Sequence, residues 1–262
     1  TSISTAKNIY FYPVSFEAYV ANAEKKIGAP INIPNPYKIC DLRPFFGIIH
    51  HDIIKNYDFY GWTDTDIFFG DIRSFYTNDL LNKYEVLSSH KIRLAGHFAL
   101  LRTQKKYTQL GYKVYDWQKA LQNPNFVGID EHGITNALCM TFWDKVFEKL
   151  KLSTNNFVLN ALRKWKKRKY YFVEQYSTPF TPIPWLDGTI NSAQPDTWYY
   201  EKGKITNSRD GERKFMYLHL MNFKSSMWRA DGTEAPWKEN AYFVKNVFNR
   251  IYIDQSGINE VI

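Results

Sequence analysis

The sequence predicts an α/β fold with layered elements, on three observations. Apolar runs of strand character alternate with amphipathic stretches at helical spacing along most of the chain. Hydrophobic residues make up 44% and charged residues 23% of the 262 positions, ordinary globular values that exclude a disordered or collagen-like chain. Neither an internal repeat nor a low-complexity segment interrupts the pattern. The length suits one large α/β domain over residues 1–262 or a main domain with a small appendage.

Asn8 to Val14, rich in aromatic and β-branched residues, is expected to be a strand, and Ser15 then caps a helix that ends before Gly28. Tyr37 to Lys55 carries Ile39, Leu42, Phe46, Ile49 and Ile53 at helical spacing, so a helix kinked at Pro44 is expected. Asp58 to Thr63 reads as a buried strand, Thr77 to Lys83 as a short helix, and Tyr84 to Ser88 and Phe98 to Arg102 as strands. Ile134, Leu138, Phe142 and Val146 define one amphipathic helix from Asp130 to Phe147, with Asp130 as its N-cap. Residues 151–213 turn polar and basic with Pro179, Pro182, Pro184 and Pro195, which predicts short strands and long loops. Phe215 to Leu220 returns to strand character, and Glu239 to Ile262 is expected to end the chain as a helix and a strand.

The balance of 34 Lys and Arg against 26 Asp and Glu leaves a charge of +8, which favours nucleic acid, nucleotide phosphates or an acidic membrane as partners. Cys40 and Cys139 are the only cysteines and lie far apart in apolar stretches, so no disulfide framework or thiolate metal site is indicated and a reducing compartment fits. No run reaches the roughly 18 apolar residues of a membrane span, and no signal peptide pattern is present. The expectation is a soluble cytoplasmic protein, or one held peripherally on the inner face of the cytoplasmic membrane. The chain opens on Thr1 rather than Met, as a trimmed chain or fragment would.

The densest set of chemistry-bearing residues is GWTDTDIFFGD, where Asp64 and Asp66 follow an apolar strand. In extended backbone these two face the same way at the strand's C-terminal end, where open α/β sheets bind ligands. Two carboxylates so placed suit Mg²⁺ or Mn²⁺ held together with a substrate's phosphates. An Asp-x-Asp pair also arises by chance in a chain of this length. Upstream, Lys38, Asp41 and Arg43 fall near one helical face, where the cations would meet a diphosphate and Asp41 a base or ribose, or all three would be ordinary surface charges. Downstream, His219 ends an apolar strand and Lys224 follows it, a pair suited to completing the metal site and neutralising a phosphate leaving group, although a core histidine has the same appearance.

KICDLRPFFG, YDFYGWTDTDIFFGDIRSF, GHFALLR, GIDEHG and YLHLMNFK together resemble bacterial glycosyltransferases of surface-polysaccharide gene clusters, with a GT-A-like fold. The resemblance spans roughly residues 8 to 224. It implies a mixed-sheet nucleotide-sugar domain whose first βαβ unit is missing or abbreviated. It also implies that residues 8–145 hold the nucleotide sugar and metal, and that 146–262 form the acceptor side. By that likeness Asp64 lies near the ribose and metal, Asp66 and His219 ligate the metal, and Lys224 meets the diphosphate. Asp130, with Glu131 beside it, is the expected base toward an acceptor hydroxyl, the pair being equally suited to stabilising a helix N-terminus. Gly96, His97 and Phe98 read either as a loop beside the donor sugar or as a plain strand and turn.

The run RKWKKRKYYF sets six cations between Arg163 and Lys169 beside Trp165, Tyr170 and Tyr171. Such a run is a solvated face, a contact for anionic lipid where a lipid-linked acceptor is presented, or a site for single-stranded nucleic acid. No nucleic-acid motif accompanies it, and nucleic acid is not expected as a partner. Trp185, Trp198, Tyr199 and Trp228 suit either sugar stacking or a core. Three functions therefore stand. The first is a metal-dependent hexosyltransferase moving a sugar from a nucleoside diphosphate, UDP above all, to a saccharide acceptor of lipopolysaccharide or capsule. The second is a phosphohydrolase with Asp64 as nucleophile. The third is a non-catalytic module that binds polysaccharide or nucleic acid.

Overall fold

The computed structural model describes residues 7–175, 197–221, 250–254 and 257–260. The fold is mixed α/β with several sheets. The chain divides into two compact units, the first of Thr1–Asp58 and Thr103–Ala137, the second of Phe59–Arg102 and Leu138–Ile262.

The described residues of the first unit are helical. Phe16–Ile27 forms as expected: the Ser15 side chain accepts from the Ala18 N–H at 3.1 Å, and Gly28 ends the helix at φ 75°. Its Ala23 and Ile27 pack on Leu42, Phe45, Ile49 and Leu121. The expected kinked helix is instead a 3₁₀ stretch at Pro36–Phe45 followed by two single turns, Phe46–Ile49 and His51–Ile54. Pro44 removes a donor within the stretch, and the tighter winding accommodates it. Gly47 is required by close approach, since a Cβ there would lie 2.4 Å from the Thr108 Cα.

Asn8 to Val14 is not a strand, contrary to expectation, and Tyr10, Phe11 and Tyr12 are exposed. β-Propensity is realised only against a neighbouring ladder, and the described part of this unit contains no strand to supply one. The single helix expected from Asp130 to Phe147 is also corrected. Ile129–Gly133 is a π-helical turn, Ile134–Cys139 an α-helix, and Phe142–Lys149 a separate helix. The break is a capping box: Asp144 accepts the Thr141 N–H at 2.6 Å while Thr141 Oγ accepts the Asp144 N–H at 3.2 Å. Asp130 is not the N-cap, because Gly128 holds that position at φ 78°.

The second unit contains all ten described strands. These are β1 (Phe59–Thr63), β2 (Ile67–Phe69), β3 (Val86–Ser88), β4 (Phe98–Arg102), β5 (Tyr170–Phe172), β6 (Trp198–Glu201), β7 (Lys204–Asn207), β8 (Tyr217–His219), β9 (Arg250–Asp254) and β10 (Gly257–Glu260). One sheet has the order β1-β4-β3-β5, antiparallel except for the β3–β5 pair, a second has the order β10-β9-β6-β7, and β2 pairs antiparallel with β8. Gly61 lets β1 approach β4, because a Cβ there would meet the Ala99 carbonyl oxygen at 2.2 Å. Tyr76, Leu87, Phe98, Met216 and Tyr217 pack in one core, and Trp198, Ile205, Phe215, Leu218 and Ile253 in another. Trp198 is thus a core residue, 1% exposed, while Trp185, Trp228 and the expected helix of the tail lie outside the described residues.

Phe157–Lys167 is a helix where short strands and loops were expected. Asn156 caps it by accepting from the Leu159 N–H at 2.9 Å, Leu159 is buried, and Arg163 pairs with Asp144 at 2.5 Å. Burial pushes the Asp144 carboxyl up, but the Arg163 and Thr141 hydrogen bonds outweigh it and hold the group below the usual carboxylate range. Among the described residues, no helix is long and apolar enough to cross a membrane, and neither cysteine is in a disulfide.

Candidate metal centre

β1 is paired along its length with β4, and immediately past its end the Asp64 N–H donates to the His97 carbonyl at 2.9 Å. The chain then turns through Thr65 and Asp66 into β2. Asp64 and Asp66 therefore converge through a turn between two strands rather than by alternation in one extended segment, which corrects the expected geometry. β2 pairs with β8 so that Ile67 lies opposite His219, and the Leu220 N–H donates to the Asp66 carbonyl at 2.8 Å. Main-chain bonds thus anchor both acidic residues.

The three side chains meet there. His219 Nε2 lies 3.7 Å from Asp64 Oδ2 and 3.7 Å from Asp66 Oδ1. One ligand atom from each of the three residues falls within 4.8 Å of the others. An ion holding ligands at about 2.1 Å sets adjacent donors about 3.0 Å apart and opposed ones about 4.2 Å apart. The two 3.7 Å spacings from His219 fall within that range, so the residue types suit a divalent cation with hard oxygen donors and one imidazole. Asp64 is the most open of the three at 27% exposure, and His219 the most enclosed at 7%.

Two residues that the sequence reading did not assign to this centre support it. The His97 ring stacks on His219 with centroids 4.4 Å apart, and its Nε2 shares a 2.8 Å hydrogen bond with the Tyr217 hydroxyl. His97 acts twice, through its carbonyl on Asp64 and its ring on His219. Such outer contacts fix ligand orientation in metal sites. The phrase GHFALLR was the available signal, but a ring stacked on a residue 122 positions later leaves no local mark.

Lys38, Asp41, Arg43, Asp130 and Glu131 belong to the first unit. Lys38 and Asp41 are buried, at 1% and 0% exposure, and paired at 2.7 Å. Asp41 also accepts the N–H groups of Val127, Gly128 and Ile129 at 2.9, 2.9 and 3.0 Å, while Lys38 donates to the Ala120 carbonyl at 2.7 Å. These two groups are used in tying the 3₁₀ stretch to the turn at Gly128. Arg43 pairs with Asp130 at 2.8 Å. Burial pushes the Asp130 carboxyl up to about 7, against the opposing pull of Arg43, and among the described residues its Oδ1 has no hydrogen-bond partner. Glu131 is half-buried next to it. Lys224 lies outside the described residues.

A family model described as "Family of unknown function (DUF6625)" matches residues 1–251. The chain belongs to DUF6625. No curated protein and no solved structure matches it. In this DUF6625 chain the Asp64, Asp66 and His219 group is the one set of three possible metal ligands among the described residues.

Proposed function

We propose that the protein is a metal-dependent glycosyltransferase of GT-A type. It transfers a hexosyl unit from a nucleoside diphosphate sugar, UDP-linked by preference, to a saccharide or lipid-linked saccharide acceptor in bacterial surface-polysaccharide synthesis. The observation that carries this reading is the convergence of Asp64, Asp66 and His219 at a turn between strands. Asp64, Asp66 and His219 would hold Mn²⁺ or Mg²⁺, and the bound ion would offset charge on the departing diphosphate. Around it the chain's own residues orient the ligands: His97 and Tyr217 set the His219 ring, and the β1 and β8 ladders set the two acidic residues. By resemblance Asp64 would meet the donor as well, and its greater exposure supports that reading.

By resemblance Lys224 meets the diphosphate. By the same resemblance Asp130 is the base, and its raised proton affinity suits that role.

A thermal-shift panel of nucleoside diphosphates with and without Mn²⁺ tests the proposal. UDP stabilises the protein only when Mn²⁺ is present, and Asp66→Asn abolishes the effect while leaving the melting of the apoprotein in place. Nucleotide stabilisation that ignores metal, or none at all, would overturn it. Phosphate release from an aryl phosphate lost in Asp64→Asn would point to a phosphohydrolase instead.

A further inference from the structure

The helix Phe157–Lys167 carries an apolar stripe on its solvent side. Phe157 is 87% exposed, and Val158 and Trp165 are each 65% exposed. At about 100° per residue these three fall within one face roughly 100° wide. The opposite face is the one used for packing, through buried Leu159 and through Arg163 on Asp144. A surface helix ordinarily turns its apolar face inward, whereas among the described residues this stripe is uncovered.

Its charged border limits what that is. By the same angles Lys164 and Arg168 flank Phe157, and Lys167 lies one step further round. All three are exposed, and none makes an ion pair among the described residues. Cations beside Trp and Phe are the composition of helices that lie in the headgroup plane of anionic bilayers, where aliphatic stems and rings enter the acyl boundary while charges meet phosphate. A second copy is disfavoured as occupant, because a twofold contact would set this positive border against itself.

We infer that this helix is a docking surface for anionic lipid, with Phe157, Val158 and Trp165 entering the interface and Lys164, Lys167 and Arg168 holding its headgroups. The inference stands apart from the metal centre and from the proposed reaction. Each cation near an anionic surface multiplies partitioning roughly fivefold, so three contribute about a hundredfold.

The test is co-sedimentation of the 262-residue chain with phosphatidylcholine vesicles with and without phosphatidylglycerol. The expected result is binding that requires phosphatidylglycerol, weakens with salt, and falls about a hundredfold in the K164Q/K167Q/R168Q variant. Trp165→Ser lowers binding at constant charge. All four substituted side chains are exposed, and far-UV circular dichroism checks that each variant keeps its helix content. Equal binding to neutral vesicles, or a triple variant that binds within threefold of the parent, would overturn the inference. So would tighter binding to single-stranded DNA than to vesicles, or self-association that Trp165→Ser abolishes.

Discussion

Replacing Asp41 by alanine removes the acceptor for three backbone N–H groups and the partner of a lysine that is 1% exposed. Losing one member of a buried pair costs about 3 to 5 kcal/mol, because the remaining charge stays desolvated without compensation. The three orphaned N–H groups act in the same direction, although the contributions are not additive. A surface carboxylate reaching for a ribose would instead cost no more than about 0.5 kcal/mol. Urea unfolding followed by far-UV circular dichroism separates the two, with a destabilisation of at least about 3 kcal/mol expected for Asp41→Ala. Lys38→Met should cost less, since Asp41 keeps its three N–H donors. The double variant should then show a coupling of about 0.5 to 3 kcal/mol. A loss below about 1 kcal/mol for Asp41→Ala would refute the structural role and return the residue to the candidates for ligand binding.

Further outcomes follow from the same contacts. His97→Ala should weaken Mn²⁺ binding about tenfold without abolishing it, read by titration with paramagnetic resonance detection; an unchanged affinity means that the stacked ring does not position His219. Asp130 holds its proton in the folded state up to about pH 7 but in the unfolded state only to its ordinary 3.8. Stability should therefore fall as pH rises between those values, by up to about 4 kcal/mol, and level off above them. That slope should be absent from Asp130→Asn, and urea midpoints across the range decide it. Thr141→Ala should cost about 1 kcal/mol by loss of the capping box, and Asp144→Ala more, since it also strands Arg163; equal costs would show that the ion pair contributes nothing. Gly61→Ala should disrupt the β1–β4 ladder and with it Mn²⁺ binding, because its Cβ has no room beside the Ala99 carbonyl.

Local chemistry was legible where it was complete within a few residues. Ser15 and Gly28 bound their helix, Thr77 caps the short helix Asn78–Lys83, and β1, β3, β4 and β8 follow apolar runs. The Thr141-x-x-Asp144 box was equally present in the sequence, but the continuous spacing from Ile134 to Val146 masked it. The helix at 157–167 was hidden by its cations, although Asn156 marked its start. Tertiary partners were not legible. An i,i+3 pair such as Lys38 and Asp41 looks alike whether buried or exposed, and only the turn at Gly128 decides between them. Of the candidate centre, the residue types were readable and the turn that brings them together was not.

The register of β2 against β8 joins two parts of the chain separated by roughly 150 residues, a loop whose closure carries a large entropic cost in the unfolded chain. An ion shared by Asp64, Asp66 and His219 would act there as a reversible cross-link, stabilising the fold much as a long-loop disulfide does while remaining removable by a chelator. Metal availability would then set the chain's resistance to unfolding and proteolysis.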